Sequence, residues 1–147
     1  MKKYLVIGNP IEHSLSPLIH NHWMRKYRLS DSIYEKKKVE KKDLKDIVEQ
    51  VRNDEIKGVN VTVPFKKEII PFLDSVIGDA HLTQSVNTVC KFNNEVCGYN
   101  TDVGGFKKSL QESSIDYKNK NIFILGAGGV TSSILQAFID TAKKIYI

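Results

Sequence analysis

The sequence predicts an α/β protein: a mainly parallel sheet covered by helices, interrupted by one β-hairpin, then followed by a shorter βαβ unit. Three observations lead there. Apolar strand-like runs alternate with amphipathic helical stretches through the first half, the pattern of parallel strands joined by crossover helices. Asn93-Asn94 separates two strand-like runs, as a tight hairpin turn would. Ile122 to Leu125 runs directly into Gly126-Ala127-Gly128-Gly129, a strand ending in a glycine-rich turn.

In chain order, Tyr4 to Ile7 is a continuous apolar run ended by Gly8-Asn9-Pro10 and reads as a buried parallel strand. The next loop holds His13-Ser14-Leu15-Ser16-Pro17. Ser16 with Pro17 behind it makes a good N-cap pair, and the helix it starts should reach about Tyr27 or Arg28. Ser14 and Ser16 could equally be hydroxyl ligands at a strand end, with Ser16 serving both purposes. Capping accounts for Ser16, whereas no structural need visible in the sequence accounts for Ser14. Ile33 to Val39 is weakly apolar and lysine-rich, as expected at or near a sheet edge. Leu44, Ile47, Val48 and Val51 fall at helical spacing with Lys and Glu on the other face.

Lys57-Gly58 then turns the chain into its organising stretch, Asn60 to Lys66. Val59, Val61 and Val63 alternate with Asn60 and Thr62, the period of a strand with one apolar and one polar face. Pro64 ends that strand and is suited to open a short helix over Phe65 to Phe72, closed by Pro71 and Leu73-Asp74. Asn60, Thr62 and Lys66 then gather near the strand's carboxyl end, the edge where open α/β sheets bind ligands. Two neutral hydrogen-bonding side chains and one ammonium suit a small, hydroxyl-rich anion. A buried strand followed by a solvated lysine explains the same residues, and this stretch alone does not choose between the two.

Val86 to Phe92 and Glu95 to Tyr99 flank Asn93-Asn94, which tolerates positive φ. That turn sets the register: Phe92 opposite Glu95, Cys90 opposite Cys97, Val89 opposite Gly98, Asn87 opposite Asn100. Residues two apart share a face, so Asn87, Asn100 and Asp102 come together if the ladder extends that far. Cys90 and Cys97 should remain free thiols, since side chains at such a hydrogen-bonded pair are less close and the chain reads as cytosolic.

Asp102 to about Ser113 is expected to be a helix capped by Thr101 or Asp102, with Gly104-Gly105 allowing close backbone packing. Ser113 to Asn121 is polar and marks the join to the second unit. Ile122 to Leu125 should be a buried strand, with a helix to about Asp140 and a strand from Lys144 to Ile147 completing the βαβ piece. Its glycine turn puts backbone N–H groups and a helix N-terminus where a pyrophosphate could sit, though the final glycine of G-x-G-x-x-G is missing. A tight strand-to-helix turn without a ligand remains open.

Composition narrows the classes. At 147 residues, 41% hydrophobic and 27% charged, this is a globular chain with room for one ordinary domain or one small domain and part of another. The charge of +5 comes partly from Lys36-Lys37-Lys38 and Lys41-Lys42, and no aromatic residues interleave with a basic stripe as nucleic-acid binding would need. No apolar run approaches a membrane span, and the N-terminus lacks a signal-peptide pattern, so the expected compartment is cytoplasmic. His20 and His22 sit two apart on a helix and face different ways, while His13 and His81 add no ligand spacing; no metal is expected.

Taken together, the motifs resemble the shikimate dehydrogenase family across the whole chain. His13-Ser14-Leu15-Ser16-Pro17 is similar to its serine-rich substrate loop, and Asn60 to Lys66 to its N-V-T-x-P-F-K motif. Ser85-Val86-Asn87-Thr88 is similar to A-V-N-T, with serine in place of alanine. Gly98-Tyr99-Asn100-Thr101-Asp102 is similar to G-Y-N-T-D, and Gly126 to Gly129 to the G-A-G-G phosphate loop. The resemblance implies NADPH-dependent reduction of 3-dehydroshikimate to shikimate, in the chorismate route to aromatic amino acids.

By resemblance, Lys66 and Asp102 form the catalytic pair. Ser14 and Ser16 hold the substrate carboxylate, and Asn60, Thr62, Asn87 and Asp102 hold its hydroxyls. Gly126, Ala127, Gly128, Gly129 and Val130 carry the cofactor. Residues 1–101 are then the shikimate-binding catalytic domain, and 102–147 a linker helix and an incomplete Rossmann-like NADP-binding domain. A family member is roughly twice this long, and the segment that reads the NADP 2′-phosphate would follow Ile147. The 147 residues by themselves are therefore expected to be inactive, with NADP rather than NAD carried by resemblance alone. A dual quinate/shikimate enzyme fits the same motifs, as does a non-catalytic module binding a polyhydroxy carboxylate or a protein partner. The resemblance also leaves room for a homodimer.

Overall fold

The computed structural model describes all of residues 1–147. Its main sheet is built from β1 (Lys2–Gly8), β2 (Ser32–Lys38), β3 (Gly58–Val61), β4 (Ser75–Val76), β5 (Thr88–Phe92) and β6 (Glu95–Tyr99), in the order β2-β1-β3-β5-β6-β4. The β1–β2, β1–β3 and β4–β6 pairs are parallel, and β5 alone runs against its neighbours. The lysine-rich β2 lies at an edge, as its sequence predicts.

β1 is buried on both faces. Leu5 and Ile7 point into the main core, beneath α2 (Leu44–Arg52), whose Leu44, Ile47, Val48 and Val51 are all buried. Val6 points the other way, into a small cluster with Ile11 and Tyr34. That second face is covered by α1 (Ser16–Lys26), a helix without a single fully buried residue. Asn21 secures α1 to the sheet edge: its side chain donates to the Tyr34 carbonyl at 2.7 Å and accepts from the Tyr34 N–H at 3.0 Å.

The hairpin takes the predicted register, Phe92 opposite Glu95 and Cys90 opposite Cys97, with Asn93 and Asn94 at φ 47° and 68°. The ladder closes at Thr88–Tyr99, and one more bond from Asn87 N to Tyr99 O (3.0 Å) carries the pairing toward the site. Two elements go unannounced in the sequence: the two-residue β4 and the short helix α3 (Asp79–Thr83).

Other expectations need correction. Pro64 does not open a helix. The Val63–Pro64 peptide is cis, and residues 63–69 form successive turns that lead into a single 3-10 turn at Ile70–Phe72. Ser16 is not a capping side chain; Leu15 occupies the N-cap, and the Ser14 Oγ accepts instead from the Ser16 N–H at 3.4 Å. Thr101 occupies the N-cap of the helix α4 (Asp102–Glu112), as expected, but neither its side chain nor that of Asp102 satisfies the first N–H groups. Asn100 does this, its Oδ1 accepting from Asp102 N at 2.9 Å and Val103 N at 3.3 Å. Gly104 and Gly105 face open space rather than a close neighbour.

The last unit comprises β7 (Asn121–Phe123), α5 (Thr131–Phe138) and β8 (Lys144–Tyr146), with β7 and β8 parallel. The expected buried strand over Ile122 to Leu125 is shorter and not buried: β7 ends at Phe123, which is 70% exposed, and Leu125 beyond it is 99% exposed, with only two strands and one helix to cover this stretch. α5 is the anchored part. It packs on α3 and α4, with Phe138 edge-on to Phe106 and to Tyr117, ring centroids 5.5 Å apart in each case.

Candidate active site

The carboxyl end of β3 and the start of α4 meet at one point. Lys66 lies in the turns beyond β3 and Asp102 is the first residue of α4, yet Lys66 Nζ donates to Asp102 Oδ2 at 2.7 Å. The two side chains are only 15% and 28% exposed, so the pair is shielded but still reachable. Asn87 fixes the carboxylate from the other side, its Nδ2 donating to Asp102 Oδ1 at 2.8 Å and to Thr101 Oγ1 at 2.9 Å. The Asn87 Oδ1 accepts in turn from Thr101 N at 2.9 Å. The hairpin turn thus sets the position of a carboxylate three residues beyond its second strand.

A cleft of about 260 Å³ opens over this pair, lined also by Ser16, His20, Asn60 and Thr62. A neighbouring cleft of about 290 Å³ adds His13 and Ser14, and Ser16 and Thr62 line both. Ser14, Ser16, Asn60, Thr62, Lys66, Asn87 and Asp102 therefore line two adjoining clefts that share Ser16 and Thr62. They differ in what they leave free. Asn60 is committed within the protein: Oδ1 accepts from Tyr34 Oη at 2.6 Å, and Nδ2 donates to Thr88 Oγ1 at 3.0 Å and Asn87 O at 3.2 Å. The hydroxyls of Ser16 and Thr62 make no hydrogen bond inside the protein.

His20, which the sequence raised only as a metal ligand, lines the cleft, and Tyr34, which the sequence did not single out, reaches the site through Asn60. His20 stacks on Tyr34 with centroids 4.2 Å apart and planes 5° from parallel. Burial lowers the His20 pKa from its ordinary 6.5 and pushes Tyr34 up to about 12. The available signal was spacing: His20 follows Ser16 by four positions on a helix, which puts both on one face.

The glycine turn lies across a third cleft of about 310 Å³, where Gly129 joins Val63, Pro64, Lys66, Lys67 and Ser85. Gly126 has φ 110°, a conformation that needs glycine. None of the backbone N–H groups from Gly126 to Val130 donates within the protein, and they lie at the N-terminus of α5. Undirected N–H groups at a helix start fit a pyrophosphate. Ser85, the serine that stands where the resembled motif has alanine, buries a hydroxyl without a hydrogen-bond partner.

Fold and site define a class: an α/β domain with a polar cleft at its sheet edge, followed by a glycine-turn βαβ unit. Residues 6–89 match the shikimate dehydrogenase substrate binding domain. The chain belongs to the shikimate dehydrogenase family. It is 50% identical over 146 residues to the shikimate dehydrogenase (NADP(+)) of Pelagibacter ubique, covering 99% of this chain and 53% of that protein. Among solved structures it matches the Listeria monocytogenes shikimate 5-dehydrogenase in complex with shikimate and NAD, at 37% identity and TM-score 0.89, over 99% of this chain and 50% of that one. The Thermus thermophilus enzyme in complex with NADP(H) and shikimate matches at 30% identity and TM-score 0.84, over 95% of this chain and 52% of that one. The chain spans about half the length of the relatives it matches. No helix is long and apolar enough to cross a membrane.

Proposed function

We propose that these residues form the substrate half of a cytoplasmic, NADP-dependent dehydrogenase that interconverts 3-dehydroshikimate and shikimate. On this reading residues 1–101 bind the substrate, and residues 102–147 begin the Rossmann-like cofactor domain. The observation that carries it is the 2.7 Å Lys66–Asp102 pair at the floor of a cleft with free hydroxyls at its other end.

Ser14 and Ser16 hold the substrate carboxylate, with Thr62 and Asp102 on the ring hydroxyls. Asn60 and Asn87, whose N–H groups are already directed within the protein, contribute mainly by fixing Thr88 and Asp102, and Asn60 Oδ1 keeps one lone pair for a substrate hydroxyl. Lys66 gives a proton to the C3 oxygen as the carbonyl is reduced, and takes it back in the oxidative direction. Asp102 holds the reacting oxygen and orients the ammonium. Gly126 to Val130 would hold the cofactor's pyrophosphate, and the bound nicotinamide supplies or accepts the hydride. A steady rise in nicotinamide absorbance with shikimate and NADP+, in the complete gene product, is the expected result. Parallel runs with quinate and with NAD+ define specificity, and no turnover with any pair would overturn the reading.

A further inference from the structure

Asn100 has no place among the groups assigned to substrate or cofactor, yet it makes more side-chain hydrogen bonds than its exposed neighbours and is 8% exposed. Its Oδ1 takes the two N–H groups that open α4, including that of Asp102 itself. Its Nδ2 faces three acceptors: Ser85 O at 2.9 Å, Ser133 Oγ at 2.9 Å and Thr83 Oγ1 at 3.1 Å. Thr83 ends α3 and Ser85 follows it, both within the substrate half, whereas Ser133 belongs to α5 and is 1% exposed. A single planar amide therefore touches the substrate domain, the helix that carries the catalytic carboxylate, and the helix that follows the glycine turn.

The chemistry of an amide makes this link directional. The two hydrogens of Nδ2 are shared between Ser133 on α5 and the Ser85 and Thr83 acceptors of the substrate half, while both lone pairs of Oδ1 go to the N–H groups that open α4, Asp102 N among them. Because the group is rigid and planar, a displacement of α5 that pulls on Ser133 rotates the plane and moves the acceptor that fixes Asp102 N. The unpartnered Ser85 hydroxyl beside it shows that this polar cluster is not fully satisfied, so its hydrogen bonds can be redistributed. Asp102 in turn holds Lys66 at 2.7 Å.

We propose that Asn100 is a positioning residue that couples cofactor binding at the α5 turn to substrate binding at Asp102. The inference rests on the functional reading above and deepens it. A cofactor phosphate drawn to the N-terminus of α5 would bias the placement of Ser133, hence of Asn100, hence of the carboxylate. By linkage, substrate bound at Asp102 must tighten the cofactor by the same factor.

The test measures shikimate affinity calorimetrically in the complete gene product, with and without saturating NADP+. The wild-type protein, Ser133→Ala and Asn100→Asp are compared. Ser133→Ala removes only the α5 end of the link; Asn100→Asp keeps the acceptor for Asp102 N but cannot donate to Ser133, Ser85 O or Thr83 Oγ1. Ser133→Ala should bind shikimate alone within about twofold of wild type, while the tightening by NADP+ falls roughly three- to tenfold toward none, the scale of one neutral hydrogen bond, and Asn100→Asp should lose the same tightening. A merely structural role would weaken shikimate binding itself and leave the ratio alone. Wild-type coupling retained in either soluble, folded variant overturns the proposal, as does a wild-type protein that binds both molecules without coupling. A wild-type protein that binds neither molecule overturns the functional reading, and this inference with it.

Discussion

Lys66 Nζ and Asp102 Oδ2 lie 2.7 Å apart across 36 positions of sequence. Two independent pieces of backbone make that contact: the turns after β3 present the lysine, and the hairpin with the Asn100 cap presents the carboxylate. Asn87 then holds Asp102 Oδ1 at 2.8 Å, leaving the carboxylate little freedom to rotate.

Lys66→Ala removes the proton donor, and Asp102→Asn removes the charge that orients it. Each should lower turnover by a factor on the order of 10² or more in the complete gene product, the usual scale for lost acid–base groups. Steady-state nicotinamide absorbance measures it. Near-normal turnover in Lys66→Ala would remove the proposed mechanism.

Ser14 lies in the neighbouring cleft, which does not contain the Lys66–Asp102 pair. Ser14→Ala should therefore raise KM for shikimate by roughly tenfold, as expected for one hydrogen bond to a charged group, with kcat little changed. A fall confined to kcat would place Ser14 in the chemistry instead. Because Ser14 Oγ also accepts from Ser16 N at 3.4 Å, a small loss of helix stability should accompany the substitution.

The parts of this site legible in the sequence are those fixed by local rules. Asn93-Asn94 demanded a two-residue turn, the turn imposed the Cys90–Cys97 register, and the register carried Asn87 to Asp102. The four apolar positions of α2 likewise determined its buried face. What stayed hidden depends on partners distant in sequence. That the Asn100 side chain, rather than that of the N-cap residue Thr101, takes the first N–H groups of α4 goes with its simultaneous contacts with Thr83, Ser85 and Ser133, none of which lies within the local window. The apolar run at Ile122–Leu125 reads as buried because periodicity reports what a segment is suited to pack against, not which partners lie within these residues. The 3-10 turn at Ile70–Phe72 and the two-residue β4 are too short to generate any period.

Cys90 and Cys97 face each other across β5 and β6 as free thiols. They occupy a hydrogen-bonded position of the ladder, where Cα atoms are about 5.5 Å apart and side chains diverge more than at the alternate sites. Burial, then the neighbouring Cys97, raises the Cys90 pKa, which reduces its thiolate fraction and slows its reaction. Thiol titration of denatured, unreduced protein should find both groups, and native protein should react slowly. Absence of titratable thiols after denaturation would mean that the pair is bridged.

His20 provides the pH-dependent element. Burial lowers its folded pKa below the ordinary value of 6.5, so the unfolded chain binds more protons than the folded one as pH falls past that point. Its contribution to stability is thus fully present above about pH 6.5 and is lost as pH falls toward the folded pKa. The groups around it do not reverse the sign. Tyr34, stacked on the ring, is held neutral with a pKa of about 12, Trp23 is uncharged, and Lys66 in the shared cleft is already paired with Asp102. His20→Phe keeps an aromatic ring for Tyr34 while removing the titration. Urea midpoints measured at pH 7 and pH 5 should fall further for wild type than for His20→Phe. An equal fall in both would show that His20 carries none of the acid sensitivity, and that charging the stacked imidazole costs the fold nothing.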